Sequence, residues 1–368
     1  MSRKTTISEL RSYAVARTLF PLRDLEAAIR ALGFVQLDPI RAPARAQDLI
    51  LRHRVASYRD GDLDRRYVEL PIAEEHLHVY GVIPRDTQRL VHPRTLQERR
   101  HVEREYPRLA ARILSHIRDS GPTHPRDLQR MLGKTRIING WGGQSSATTR
   151  MLEVMHYRGI LRVAHRVQGI RVYEVAPSWP RTLSPTARAA GLLELLVRLY
   201  APVRTANFRA LARMAMGDSV SERIQLAAVE RFLTSAWLAH ASVDGNAYAW
   251  PADEPFPSES DEAVRLLAPF DPIVWDRKRF EQFWSWEYRF EAYTPPAKRL
   301  RGYYALPLLW RDSIIGWANV AVKRGALDVE LGFVGKRPRD TAFKRELDAE
   351  LGCMATFLGV STECGSAR

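Results

Sequence analysis

Cysteine is nearly absent: Cys353 and Cys364 are the two in 368 residues, both late in the chain and without a surrounding histidine–cysteine cluster. That argues against a disulfide scaffold or a structural zinc site and fits a reducing compartment. No apolar run approaches the roughly 20 residues a membrane helix needs. Met1 to Thr6 is polar and leads straight into a helical pattern, so no signal peptide is read and a cytoplasmic location is expected. The chain also lacks GxxxxGK[ST], a GxGxxG after a strand, HExxH and CxxC, so no cofactor and no metal are expected. Lysines are few, and none sits in the apolar setting that a Schiff-base nucleophile requires.

Positive charge is what the chain has in excess. A formal +14 and a pI near 10.1 favour a polyanionic partner, because neutralising phosphates releases their counterions. A basic but uninvolved surface is the plainer alternative. Most of the surplus is arginine, whose planar fork suits phosphate oxygens and base edges. A hydrophobic fraction of 45% and this length allow two to four compact domains.

One plan is read three times: two helices, a third helix, then a two-stranded hairpin. Its clearest copy starts with Leu109, Ile113, Leu114 and Ile117 on one helical face, broken by Gly121-Pro122. Pro125 to Leu132 reads as a second helix. Asn139-Gly140-Trp141-Gly142-Gly143 precedes a third, starting near Ser145 or Ser146. Met151, Leu152 and Met155 would face its core, with Thr149, Arg150 and His156 turned elsewhere. Leu161, Val163 and Val172 alternate along a hairpin tipped by His165-Arg166-Val167-Gln168-Gly169. Helix, turn, helix and basic hairpin is the winged-helix plan, in which His165 and Arg166 are placed to meet DNA.

A similar copy spans about 185–256, with Leu192, Leu193, Leu196 and Leu199, helices at Phe208 to Met214 and Ser219 to Ser235, and an Asp244-Gly245 hairpin turn. The first copy opens with a capping box at Thr6-Ile7-Ser8-Glu9, and Leu22, Leu25, Ile29 and Leu32 stripe the next helix up to Gly33. A third helix is read from about Ala42 to Arg54, and a hairpin from about Val68 to Ile83. From Ser258 the pattern changes to aromatic and β-branched runs such as Tyr288 to Tyr293 and Ile314 to Val320, closed by a helix from about Arg339 to Leu358. Pro295-Pro296 followed by Lys298 and Arg299 is a rigid basic turn suited to a DNA backbone contact, or else an ordinary solvated loop.

Chemistry has one candidate segment, Gly33-Phe34-Val35-Gln36-Leu37-Asp38-Pro39-Ile40-Arg41. In an extended stretch, residues two apart point to one side, so Gln36 and Asp38 converge while Leu37 anchors in the core. A carboxylate beside an amide can hold one water and accept its proton. The plainer reading has Asp38 capping the helix that follows Pro39 and Gln36 satisfying nearby backbone. On the tripeptide alone the plainer reading is favoured.

Longer stretches extend the evidence: Pro269-Phe270-Asp271-Pro272-Ile273-Val274-Trp275-Asp276-Arg277-Lys278-Arg279, Tyr293-Thr294-Pro295-Pro296-Ala297-Lys298-Arg299 and Gly302-Tyr303-Tyr304-Ala305-Leu306-Pro307. With Gln36-Leu37-Asp38 they make the chain resemble, over nearly its whole length, the YcaQ/AlkZ-type DNA glycosylases. The resemblance implies three winged-helix units with a C-terminal β domain, and removal of N-alkylated purines, including N7-alkylguanines and nitrogen-mustard interstrand crosslinks. Gln36 and Asp38 match the family's Gln-apolar-Asp signature. On that resemblance Gln36 positions the water, and Asp38 activates it or stabilises charge on the deoxyribose. Arg45 falls where relatives carry an arginine that meets DNA backbone. One departure stands out. Relatives carry Trp-x-His-Glu shortly before an apolar-apolar-Pro; registered on Val82-Ile83-Pro84, this chain has His76-Leu77-His78-Val79. His78 is kept, either as support for the site or as a structural histidine of the hairpin.

The expected fold is α+β, with three tandem winged-helix units followed by a mostly β, barrel-like domain. The expected segments are 1–97, containing the Gln-Leu-Asp segment, 98–180, 181–256 and 257–368. The expected protein is a monomeric, monofunctional glycosylase acting on double-stranded DNA that carries alkylated bases or crosslinks. A non-enzymatic winged-helix regulator is the rival from another class, and a glycosylase for other lesions, including alkyladenine, is a third reading.

Overall fold

Helix Ile7–Thr18 begins where Thr6 and Glu9 satisfy each other's backbone. The Thr6 hydroxyl accepts the Glu9 N–H at 3.2 Å, and the Glu9 carboxylate accepts the Thr6 N–H at 2.8 Å. Helix Leu25–Leu32 is capped by Asp24 and stopped by Gly33 at φ +72°, a left-handed turn that glycine makes without a Cβ clash. Leu25, Ala28, Ile29 and Leu32 are its buried face; Leu22 lies outside the helix and is exposed. The computed structural model describes residues 5–94, 100–133, 135–138, 143–179, 183–256 and 261–361. Read features at Met1 to Lys4, Asn139 to Gly142, Ser258 and Cys364 lie outside the described residues.

The chain forms two compact units, each assembled from separated stretches: Met1–Leu63, Glu194–Arg209 and Arg231–Arg368 in the first, Asp64–Leu193 and Ala210–Glu230 in the second. In the first unit, helix Ala46–Leu51 is shorter than the sequence suggested. Its cap residue Arg45 is extended, and Pro43 keeps the preceding residues out of helical geometry. Beyond it, the Arg54 guanidinium is fully buried and every one of its nitrogens donates. It donates to both carboxylate oxygens of Asp271 at 2.8 and 3.0 Å, to Thr18 O at 2.9 Å and to Ile50 O at 2.7 Å. Asp271 in turn caps the short helix Pro272–Trp275. The pair thus ties two segments over 200 residues apart. The helix following it, Arg277–Trp284, packs Phe280 into a core with Val15, Leu19, Ile273, Val274, Trp286, Tyr288, Leu309 and Ile314.

The C-terminal strands Val264–Leu266, Leu306–Trp310, Ser313–Lys323 and Ala326–Phe333 pair antiparallel in that order, as an open sheet. The expected barrel does not close. Helix Thr341–Leu358 takes the place of closure: its Glu350 accepts the Leu266 N–H at 2.8 Å, and its Phe343 packs against Trp310 and Phe333. Tyr288 to Tyr293 is not a strand either. It is a loop in which Tyr288 is buried and Phe290 packs against Phe270 at 5.0 Å, while Tyr293 is exposed. The unit also holds a sheet of Val203–Arg204, Asn246–Pro251 and Leu238–Val243, whose hairpin turns at Asp244 and Gly245 with positive φ at both.

The second unit holds a hairpin of Ile72–His76 and Tyr80–Pro84, helices Leu109–Ser120, Pro125–Leu132 and Ala147–Tyr157, and a second hairpin of Leu161–Val167 and Ile170–Val175. Ser146 caps the third of these helices, and His156, expected to face elsewhere, is buried in its core. Helices Pro185–Tyr200, Thr205–Met216 and Glu222–Leu233 follow in the order the sequence plan requires, and each crosses the division between the units. Among the described residues, no helix is long and apolar enough to cross a membrane.

Candidate active site

Gly33 turns the chain out of its helix into the two-residue strand Val35–Gln36. Phe34 and Val35 are buried and anchor the segment, whereas Leu37 is only partly buried. The Gln36 side chain does not satisfy backbone. Its Oε1 accepts the indole N–H of Trp275 at 3.1 Å, which turns the amide NH2 into the end available to donate. Trp275 closes the Pro272–Trp275 helix, and the buried Arg54–Asp271 pair fixes that helix's start. The orientation of Gln36 is therefore set from a region of sequence 239 residues away.

Asp38 caps no helix, since the next one begins at Ala46. Its Oδ1 accepts the Ile40 N–H at 2.9 Å, and its own N–H donates to Oε1 of buried Gln47 at 3.3 Å. The carboxyl is half-buried, and burial raises it above the usual carboxylate range against the opposing pull of the Ile40 N–H. A raised carboxylate next to a fixed amide is equipped to take a proton from water and to face a developing cation.

Two residues beyond Trp275, the Arg277 guanidinium donates to Val274 O at 2.6 Å and Pro269 O at 2.9 Å and lies 4.6 Å from the centre of the Tyr288 ring. A cavity of about 430 Å³ opens among Arg277, Tyr288, Arg289, Phe290, Lys298 and Leu300. Its rim is organised by Glu291, whose carboxylate accepts the N–H groups of Leu300, Arg301 and Gly302 at 2.8 to 3.2 Å. Burial alone would raise Glu291, but those N–H groups outweigh it and hold the acid below its usual range.

A family profile described as "DNA glycosylase AlkZ-like" matches residues 29–357. The chain belongs to the AlkZ-like DNA glycosylase family. It is accordingly an enzyme of DNA repair with DNA as its partner, and the regulator reading falls away. Among solved structures, Streptomyces sahachiroi DNA glycosylase AlkZ shares the fold, with a TM-score of 0.66 at 14% identity over 98% of each chain.

In this AlkZ-like chain the first unit holds Gln36 against Trp275 and also carries Asp38, Arg45, Arg277, Lys298 and Arg299. Arg45 is the extended cap residue of Ala46–Leu51. Lys298 is exposed in the turn Pro296–Lys298, and Arg299 donates to Thr294 O at 2.8 Å. In the second unit, His165 lies partly buried on strand Leu161–Val167, while the Arg166 guanidinium is taken up by Glu74 and Gly169 O. His78 is buried in the bend between Ile72–His76 and Tyr80–Pro84. The sequence reading assigned no role to Trp275, although Asp271-Pro272 before it is a helix-start signal that could have placed it.

Proposed function

We propose that this enzyme is a monofunctional glycosylase that hydrolyses the N-glycosidic bond of N-alkylated purines, N7-alkylguanine above all, and unhooks interstrand crosslinks. The observation that carries the reading is the pair two residues apart: Gln36 fixed by Trp275, and Asp38 raised by burial and fixed by Ile40. An N7-alkylated purine is cationic, so it leaves without being protonated. The C1′–N bond breaks with its electron pair returning to the base, and the sugar becomes oxocarbenium-like. The water held by the Gln36 amide and Asp38 forms the C1′–O bond, and its proton passes to the Asp38 carboxylate. The products are the free alkylated base and an abasic site.

In this reading the three consecutive helix-and-hairpin segments act as winged-helix units on duplex DNA, and the protein works as a monomer. Arg45, Lys298 and Arg299 in one unit, and His165 in the other, address the phosphate backbone, while Arg166, held by Glu74, keeps its hairpin in shape. The test is base release from duplex DNA carrying one N7-methylguanine, or one nitrogen-mustard crosslink. Wild type should excise, Asp38→Asn should lose at least about 100-fold in rate, comparable to losing a main electrostatic group, and DNA binding should persist. Gln36→Ala should fall less, because it positions rather than reacts. Tight binding with no release of either lesion would sink the substrate assignment.

A further inference from the structure

We propose that Tyr304 is a positioning residue for the glycosidic hydrolysis: in the DNA-bound enzyme its phenolic O–H donates to the Asp38 carboxylate and holds that group ionised and in place. The inference rests on the role proposed above for Asp38. Tyr304 is 4% exposed, yet its hydroxyl has no hydrogen-bond partner among the described residues. A buried hydroxyl without a partner is costly, and a site that retains one calls for a partner in another state. The side chain is not loosely held. Its ring stands edge-on to Phe290 at 5.3 Å, the following carbonyl, Ala305 O, accepts the Tyr288 hydroxyl at 2.7 Å, and Gly302 N is tied to Glu291.

Asp38 is the acid that acts on this hydroxyl. Burial first, and then the Asp38 charge, push the phenol up and keep its proton on, with Arg277 opposing. A phenol that keeps its proton is a donor. Asp38 has Oδ1 filled by the Ile40 N–H, so Oδ2 is the oxygen to receive it. The need for that bond grows on binding. DNA over the site removes more water from a carboxylate that burial has already raised, and a protonated Asp38 neither takes the proton of water nor faces a cation. A donor O–H offsets this, as charge-assisted bonds to carboxylates do.

The experiment is single-turnover release of N7-methylguanine against pH for wild type, Tyr304→Phe and Asp38→Asn, with DNA affinity and melting temperature measured alongside. Tyr304→Phe should move the acid limb up by about one pH unit, a loss of about tenfold below that limb, and recover towards wild type above it. Affinity should not change, and the melting temperature should hold or rise, because an unpartnered buried hydroxyl has been removed. A Tyr304→Phe profile superimposed on wild type, or a pH-independent loss accompanied by a lower melting temperature, would overturn the proposal. The two readings separate cleanly. Excision that survives in Asp38→Asn sinks the role of Asp38, whereas excision that is lost in Asp38→Asn but unshifted in Tyr304→Phe sinks Tyr304 alone.

Discussion

Gln36 can present its amide NH2 only because Trp275 occupies its carbonyl oxygen. An amide free to flip offers a donor half the time and an acceptor the other half, and one indole N–H removes that ambiguity. Trp275→Phe keeps an aromatic ring against Tyr200, 5.0 Å away in the native protein, and deletes only that donor. We expect the excision rate at saturating DNA to fall about 3- to 10-fold, the worth of one neutral hydrogen bond, with little change in affinity. A weaker Kd with an unchanged rate would mean that Trp275 serves binding instead. At this scale the sequence was half legible. Gln36 and Asp38 are neighbours in the chain, and period-two geometry points them one way. Trp275 and Tyr304 come from 239 and over 260 residues away, and no local pattern records a contact made by folding.

Elements were legible wherever a local signal starts or stops them. Thr6 with Glu9, Asp24 with Gly33, Ser146, and Asp244-Gly245 all act where the residue types predict. Tyr288 to Tyr293 misled because aromatic residues suit strands and loops alike; instead of pairing with a strand, this loop uses its Glu291 carboxylate to take the backbone N–H groups of Leu300, Arg301 and Gly302. The hairpin Ile72–His76 and Tyr80–Pro84 was legible as a hairpin but not as a charged core. Glu75 there bonds His92 at 2.7 Å and Arg94 at 3.3 Å, and although burial raises it, these partners bring it down to about 2. Burial lowers His76 and His78 to about 3, helped at His76 by the charges of His156 and Arg94. Both histidines stay neutral in the folded unit while the unfolded chain takes up protons below about 6.5. The unfolded state therefore binds more protons between about 6.5 and 3, and stability falls as pH falls through that window, with Glu75 adding to the loss only below about 4.5. Denaturant titrations at pH 7, 6 and 5 should show the decline. His78→Asn should flatten it, by up to about 1.4 kcal/mol per pH unit. An equal slope in the variant would mean that His78 titrates alike folded and unfolded.

Over the whole molecule, the repeated plan runs consecutively along the sequence, whereas packing groups the chain into two units of discontinuous stretches. Long-range ties such as Arg54 to Asp271 and Arg52 to Glu350 make the first unit, and they too are invisible to periodicity. The net charge was legible, but which cations are left to carry it was not. Arg17, Arg52, Arg54, Arg94, Arg158 and Arg166 all meet carboxylates within their own unit, so the net +14, which already counts those carboxylates, falls to other cations to offer to phosphate. Salt dependence measures what remains, because each phosphate neutralised contributes about 0.9 to the slope of log affinity against log salt. If Lys298 and Arg299 each hold one phosphate, the double variant Lys298→Gln, Arg299→Gln should lower that slope by about 1.8. The effect should be the same on damaged and undamaged duplex, since backbone contacts carry no lesion information. The excision rate at saturating DNA should stay at the wild-type value, because a contact to the DNA backbone is made equally before and during bond breaking. An unchanged slope would assign the turn after Pro296 to solvent, while an unchanged slope with a slower rate would place those cations at the lesion itself.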